Sequence, residues 1–200
     1  MYKNIVFDFG QVLVKFDEAY MTRQYIKDEN DAQLVQEVVF DRLYWDKLDA
    51  GTITDEEVMA GARSRLPERL WHDAEKVYFN WIYNIPEIPG MREILVKLHA
   101  QGKRLYLLSN ICTYFARHAD EIPILSLLDG CVYSAVAGNV KPDREIFDHL
   151  CRRFSLDPAE TIFIDDREAN IRGAQNAGIA GYLFDGDAAK LWEYLRKHAL

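Results

Sequence analysis

The chain contains 200 residues, of which 49% are hydrophobic and 28% charged, and its 24 basic and 32 acidic residues give a net charge of −8. These proportions are typical of a globular domain and exclude a disordered chain, a collagen, a coiled coil and a disulfide-rich scaffold. The acidic balance also argues against attraction to nucleic acid or to an anionic membrane surface, so we expect neither partner.

The first predicted elements are one strand and a long helical segment. Residues 4–9 form a short apolar run that contains Asp8 and is followed by Gly10, as in a buried strand that leads into a loop. Residues 17–83 show no convincing strand pattern and carry apolar side chains at helical spacing. Thr54 with Glu57 three residues later forms a capping box, which predicts a helix start there. We therefore expect an all-helical insertion.

Helices and strands alternate after the Pro- and Gly-containing loop at residues 85–90. The pattern predicts helices over 91–100, 144–154, 169–177 and 188–198, and strands over 105–108, 131–136, 161–164 and 181–184. Strands separated by helices of this length indicate a doubly wound parallel sheet. The predicted fold is therefore α/β, with a Rossmann-like core formed by residues 1–16 and 84–200 and a helical insertion at residues 17–83.

Polar side chains follow three of the predicted strands. Asp8 follows the first strand, Ser109 and Asn110 follow the second, and Asp165 with Asp166 follow a third. Ligands of such sheets bind beyond the carboxyl ends of the strands, so we expect these residues to converge at one edge. Three carboxylates there would repel one another unless protons or a cation neutralised them, and oxygen ligands alone favour Mg²⁺.

A lysine completes the set of candidate reactive groups. Lys141 precedes a proline, which disfavours helix, and lies between a predicted strand and a predicted helix. From that position it could reach the same edge of the sheet and, with Ser109 and Asn110, bind an anion. A carboxylate nucleophile, a magnesium ion, a lysine and a hydroxyl around one point are the groups that phosphoryl transfer uses.

Four ordered motifs carry a resemblance to a known family. They are V-F-D-F-G near the start, L-L-S-N, V-K-P, and F-I-D-D-x-x-x-N-I-x-G-A-x-x-A-G, and they are spread over residues 4–178. Together they resemble the haloacid dehalogenase (HAD) superfamily, and the helical segment resembles its inserted cap. The stretches D-x-G-Q-V-L-V and A-G-T-I-T-D-E-E most resemble its α-D-glucose-1-phosphate phosphatase-like subgroup of bacterial sugar-phosphate phosphatases.

The resemblance implies a role for each matching residue. Asp8 would be the nucleophile and a Mg²⁺ ligand, and the backbone carbonyl of Gly10 would be a second ligand. Ser109 and Lys141 would hold the phosphoryl oxygens, while Asn110 would donate a further hydrogen bond or orient the site.

The resemblance implies different roles for the two aspartates of the D-D pair. Asp166 would bind the metal directly, and Asp165 would fix Lys141 or a bound water. Asn170 would brace the surrounding loop. The implied enzyme is a Mg²⁺-dependent phosphomonoester hydrolase that acts on a small phosphorylated metabolite, such as a sugar phosphate, through an aspartyl phosphate. We expect it to be a monomer or homodimer.

The sequence departs from most phosphatases of this superfamily at Gly10, where they carry a second aspartate as general acid and base. Asp17, Glu18 or a metal-bound water could replace it. Two alternatives follow from this glycine. One is a metal-independent 2-haloacid dehalogenase with Asp8 as nucleophile, which the retained Asp165-Asp166 pair disfavours because it would repel a haloacid. The other is a catalytically weak domain that binds a phosphorylated ligand or a protein.

Aromatic residues in the helical insertion are candidates for substrate contact. Tyr44 and Trp45 lie just before the turn at residues 50–51, and we predict that they touch the substrate. An inserted helical lid of this kind commonly closes on a substrate and excludes water.

Cysteine usage and the first ten residues bear on the cell compartment. The three cysteines are scattered and fit neither a disulfide framework nor a zinc site. The chain start contains Asp8 within its apolar run and lacks a small-residue cleavage site, so we do not predict a signal peptide. We expect a cytoplasmic protein.

Overall fold

The computed structural model describes residues 1–199 and contains a five-stranded sheet in the order β3-β2-β1-β4-β5, in which all pairings are parallel. The strands are β1 (Asn4–Phe7), β2 (Arg104–Ser109), β3 (Gly130–Tyr133), β4 (Thr161–Asp165) and β5 (Ala180–Leu183). The predicted α/β class with a parallel sheet is confirmed. Because the strand order reverses beside β1, the crevice at its carboxyl end is the expected place for a ligand.

Five helices fill the segment between β1 and the loop at residues 85–90. They are α1 (Glu18–Arg23), α2 (Glu29–Val39), α3 (Arg42–Asp49), α4 (Asp55–Arg65) and α5 (Trp71–Asn80), with 3₁₀ turns at Glu68–Leu70 and Trp81–Tyr83. The side chain of Thr54 accepts a hydrogen bond from the backbone of Glu57, whose carboxylate accepts one in return, so the predicted capping box is confirmed. These helices fit the predicted insertion at residues 17–83, whose status as a separate domain stays a prediction.

The remaining helices lie on the two faces of the sheet. They are α6 (Met91–Ala100), α7 (Thr113–Arg117), α8 (Ser134–Ala137), α9 (Arg144–Phe154), α10 (Glu168–Asn176) and α11 (Ala188–His198), with 3₁₀ turns at Ala119–Glu121, Pro123–Leu127 and Pro158–Glu160. Alternate residues of β1 pack on opposite faces: Ile5 and Phe7 belong to one buried cluster and Val6 to the other. No helix within residues 1–199 has the length and apolarity that crossing a bilayer requires.

The third strand is shorter than its sequence predicts. The pattern indicated a strand over residues 131–136, but β3 ends at Tyr133 and Ser134 begins the one-turn helix α8. The hydroxyl of Ser134 is buried and accepts a hydrogen bond from the backbone N–H of Ile111 at 2.9 Å, while it donates to the backbone oxygen of Asp49. This serine therefore links the end of α3 to the loop after β2, a tertiary contact that a local pattern does not contain.

The helical insertion is packed closely onto the core beside this link. Gly51 has a φ of +69°, and a Cβ at this position would lie 2.7 Å from the backbone oxygen of Ala135. An aromatic cluster of Phe16, Trp45 and Trp81 continues the contact, with ring centroids 5.4–5.5 Å apart. The turn after α3 is thus held against α8 by a backbone approach that only glycine permits.

Candidate active site

The predicted site residues meet at the carboxyl edge of the sheet. The last residue of β1, Phe7, is in register with Leu107 of β2 and Ile164 of β4, so the residues that follow them are neighbours across the sheet. The backbone N–H of Asp8 donates to the oxygen of Ile164 at 2.9 Å, which fixes the start of the loop after β1. Asp8 and Asp165 therefore leave adjacent strands side by side.

Lys141 lies between these two carboxylates. Its Nζ is 2.7 Å from Oδ1 of Asp8 and 2.8 Å from Oδ2 of Asp165, and only 1% of its side chain is exposed. Burial acts to lower the pKa of Lys141, but the charges of Asp8 and Asp165 outweigh it and raise this pKa above its ordinary value. The ammonium group is therefore a fixed positive charge at neutral pH.

The side chain of Asn110 holds the backbone of Lys141 in place. Its Nδ2 donates to the carbonyl oxygen of Lys141 at 2.9 Å, and its Oδ1 accepts from the N–H of the same residue at 2.8 Å. Of the two roles that the sequence left open for Asn110, orientation of the site is the one that these contacts support.

Asp165 is held by a similar set of hydrogen bonds. Nδ2 of Asn170 donates to both carboxylate oxygens at 3.0 Å, and the N–H of Arg167 donates to Oδ1 at 2.8 Å. With Lys141 on Oδ2, this fully buried carboxylate is saturated with donors. Such contacts agree with the implied tasks of Asp165, to fix Lys141, and of Asn170, to brace the loop.

Three carboxylates form a cluster that could hold a metal ion. One oxygen each from Asp8, Asp165 and Asp166 lies within 4.8 Å of the others. Burial is the main cause that raises the pKa of Asp8 to about 6, and burial together with the charge of Asp165 raises the pKa of Asp166. The ionised cluster is thus short of positive charge. An oxygen-only donor set that contains surplus buried negative charge fits a hard divalent cation.

A cavity of about 410 Å³ opens over this cluster. Asp8, Ser109, Lys141 and Asp166 lie at its wall, together with Gly10. The other lining residues come from three groups, the aromatic cluster (Phe16, Trp45, Trp81), charged or amide side chains (Gln11, Arg42, Asp46, Asp49, Asn110, Arg167, Asn170) and apolar residues (Phe9, Ile111, Val140). The structure therefore brings every residue predicted for catalysis, phosphate binding and metal binding to one cavity.

The two aromatic residues predicted to touch the substrate take different positions. Trp45 lines the cavity, and its indole N–H donates to the backbone oxygen of Val39 at 2.8 Å. Tyr44 does not line the cavity. Its hydroxyl packs against Gly61 of α4, so closely that a Cβ on that glycine would clash with it. Of this pair, only Trp45 is therefore placed to touch a molecule in the cavity.

Asp49 also lines the cavity, although it was not among the predicted site residues. It is the last residue of α3, and its Oδ1 is buried without a hydrogen-bond partner, alone in this respect among buried side-chain polar atoms of residues 1–199. Burial raises the pKa of Asp49 to about 7. The negative charges of Asp46 and Asp8 add to this rise, and the positive charges of Arg42 and Lys141 oppose it. Asp17 and Glu18, the acids considered earlier, line a neighbouring cavity instead.

The raised pKa of Asp49 predicts a pH-dependent cost in stability. Because the folded state holds this proton more tightly than the unfolded chain, stability is lost as pH rises from about 4 to about 7 and is constant above that range. We expect Asp49→Asn to be about 2–4 kcal/mol more stable than the wild type at pH 8, a range that allows for the partial exposure of the residue. The gain should vanish near pH 4.

Urea unfolding of both proteins at pH 4, 6 and 8 measures this difference. Asp120→Asn, which removes an exposed carboxylate in the 3₁₀ turn Ala119–Glu121, serves as the control. A stability gain for Asp49→Asn that is the same at all three pH values would contradict the assignment.

Comparisons with known proteins agree with the geometry. The chain is 26% identical over 183 residues to the sesquiterpene phosphatase astK of Aspergillus oryzae. The alignment covers 90% of this chain and 88% of that protein. The chain is also 26% identical over 186 residues to a D-ribitol-5-phosphate phosphatase of Bacteroides thetaiotaomicron. That alignment covers 89% of each protein. The crystal structure of the HAD-family enzyme bt-2542 from the same bacterium, in complex with magnesium and inorganic phosphate, superposes with a TM-score of 0.74 at 25% identity and covers 96% of this chain and 99% of that one.

A family profile also matches most of the chain. The profile of haloacid dehalogenase-like hydrolases matches residues 2–178, which include all four motifs and the cavity that they form. The predicted family is confirmed, and with it the prediction of a hydrolytic enzyme. This chain belongs to the haloacid dehalogenase-like hydrolases.

Proposed function

We propose that this hydrolase is a magnesium-dependent phosphomonoesterase that acts on a small sugar or polyol phosphate through an aspartyl phosphate on Asp8. The observation that carries the proposal is the contact of buried Lys141 with Asp8 and Asp165, beside Asp166, in one open cavity. A phosphoryl group needs a nucleophile, a fixed positive charge and a means of neutralising its oxygens, and these residues supply each of them.

Each residue has a task that its position supports. Oδ2 of Asp8 is the candidate attacking atom, because Oδ1 accepts from Lys141. Lys141 and the hydroxyl of Ser109 would hold the phosphoryl oxygens as the phosphorus–oxygen bond breaks. Magnesium, held by Asp8, Asp166 and the main-chain oxygen of Gly10, would neutralise the charge between the nucleophile and the phosphoryl group.

The cavity and the relatives both favour a small polar substrate. Its volume of about 410 Å³ is within the roughly 300–1,000 Å³ that small-molecule sites occupy. Asp46, Arg42 and Trp45 all line the cavity, and carboxylate and guanidinium groups beside an aromatic ring suit hydroxyl groups on a short carbon skeleton. The phosphatase from B. thetaiotaomicron acts on D-ribitol 5-phosphate, which has such a skeleton.

The carboxylate cluster also weighs against the dehalogenase alternative. A haloacid is itself an anion, and the ionised Asp165-Asp166 pair would repel it unless a cation were bound. The curated relatives reported above are phosphatases. A domain that only binds a ligand would need no carboxylate held against a lysine at the strand end, so the site favours turnover.

Phosphate release from a panel of sugar and polyol phosphates tests this function and its metal dependence. We expect turnover with Mg²⁺ and a loss of roughly 10²-fold or more after treatment with EDTA, reversed by added Mg²⁺, because the cluster then lacks the charge that neutralises it. Calcium at the same concentration is the control, since its larger radius and looser geometry suit the site less. Halide release from 2-haloacids without metal would favour the dehalogenase. Release of neither phosphate nor halide would favour a binding domain.

A further inference from the structure

The proposed reaction needs a proton donor that the loop after β1 does not supply. An alkoxide is a poor leaving group, and a positioned acid typically accelerates its departure by about 10²–10⁴-fold. Gly10 has no side chain to offer, while Lys141 is committed to Asp8 and Asp165. Asp17 is occupied as the N-cap of α1 and accepts from the N–H of Tyr20. None of these three residues is therefore free to give the leaving oxygen a proton.

We propose that Asp49, brought to the cavity by the helical insertion, is the general acid and base of this enzyme. The proposal rests on the phosphatase function proposed above. Asp49 lines the same cavity as Asp8, Ser109 and Lys141, but it comes from the end of α3 rather than from the carboxyl edge of the sheet. In the proposed reaction it faces the departing group while the sheet residues hold the phosphoryl group.

The surroundings of Asp49 leave its carboxyl group available for proton transfer. Its Oδ1 is buried, yet no donor or acceptor within the described part of the chain is bonded to it. A buried polar atom without a partner is costly, and such atoms are retained where a ligand or a reaction uses them. In this cavity the natural partner is the oxygen of the leaving group or a water that takes its place.

The backbone of Asp49 is held firmly although its carboxyl group is free. Ser134 donates to its carbonyl oxygen, and the same hydroxyl is bonded to the N–H of Ile111. Two residues later, Gly51 lies against the backbone of Ala135. These contacts tie the end of α3 to the loops after β2 and β3, so the acid is positioned relative to the residues that hold the phosphoryl group.

The charges around Asp49 allow both of its protonation states at neutral pH. Arg42 and Asp46 face it from its own helix, and Lys141 and Asp8 face it from the core. Burial dominates over these opposed charges and raises its pKa to about 7. A group that must first donate and then accept a proton works best with a pKa close to the working pH.

Asp49 alone can supply the proton of the first chemical step and recover one in the second. In the first, Asp8 attacks phosphorus, the bond to the leaving oxygen breaks, and protonated Asp49 gives its proton to that oxygen, which departs as the alcohol. In the second, the Asp49 carboxylate takes a proton from water as the water oxygen attacks phosphorus. The bond to Asp8 then breaks, inorganic phosphate leaves, and both aspartates return to their initial states.

The dependence of the rate on the leaving group tests the proposal. Asp49→Asn should lose about 10²–10⁴-fold in kcat with alkyl and polyol phosphates, whose leaving oxygen needs a proton. With p-nitrophenyl phosphate, which leaves as a stable anion, the loss in the first step should be less than about tenfold in single-turnover experiments. The ratio of the two rates is independent of the fraction of folded protein, so a folding defect cannot imitate the result.

A matched variant and two outcomes complete the test. Asp120→Asn removes an exposed carboxylate that does not line the cavity, and it should leave the ratio unchanged. If Asp49→Asn lowers both rates equally, or neither, the proposal for Asp49 is overturned while the phosphatase function stands. If the wild type releases phosphate from no substrate, the proposed function itself fails.

Discussion

Asp8→Asn is expected to abolish phosphate release, with a loss of roughly 10³-fold or more in kcat, while the protein remains folded. The amide has the shape of the carboxylate but cannot attack phosphorus. Lys141 keeps its contact with Asp165 at 2.8 Å, so the substitution leaves this buried charge paired. Burial already raises the pKa of Asp8 to about 6, which means that the ionised carboxylate is disfavoured in the folded state and its neutral replacement is tolerated.

The covalent step can be measured directly. Brief incubation with a substrate labelled in its phosphoryl group, followed by acid quenching, should leave label on the wild-type protein and none on Asp8→Asn. Asp120→Asn, which changes an exposed carboxylate in the 3₁₀ turn Ala119–Glu121, is the control and should label like the wild type. Labelled Asp8→Asn, or turnover within tenfold of the wild type, would show that another residue or a water attacks phosphorus.

Much of this site could be predicted because it is built from strand ends. A polar residue directly after a buried strand is placed at the carboxyl edge by the sheet itself, so local patterns were sufficient to bring Asp8, Ser109 and Asp165 together. The predicted helices over 144–154 and 188–198 agree with α9 and α11 at both ends. In both helices the apolar residues recur at helical spacing and an aspartate directly precedes the first residue.

The features that the sequence did not predict depend on how separate segments dock. Asp49 reaches the cavity only because Ser134 and Gly51 hold the end of α3 against the core, contacts between positions far apart in the chain. The early end of β3 has the same origin, since Ser134 turns away from the sheet to make that link. For Tyr44 and Trp45, the composition of the pair gave no means of deciding which side chain faces the cavity.

Lys141→Met is expected to damage both catalysis and stability, because one ammonium group serves two buried carboxylates. Methionine has a similar length and no charge, so Asp8 and Asp165 would face each other without compensation. Loss of one partner from a buried ion pair costs about 3–5 kcal/mol. Loss of the attraction to Lys141 raises the pKa of Asp8 further, so the cost should grow as pH rises from about 5 to 8. Loss of the charge that holds the phosphoryl oxygens should lower kcat by roughly 10³-fold.

A second substitution separates these two effects. In Lys141→Met/Asp165→Asn the repelling pair is reduced to one carboxylate, so urea unfolding at pH 8 should recover part of the lost stability. Phosphate release should stay at the level of the single variant, because no positive charge returns to the cavity. If the double variant regained activity together with stability, Lys141 would act only by holding the fold. If stability recovers and activity does not, the side chain is needed at the phosphoryl group itself. If both defects persist, the predicted repulsion between Asp8 and Asp165 is wrong.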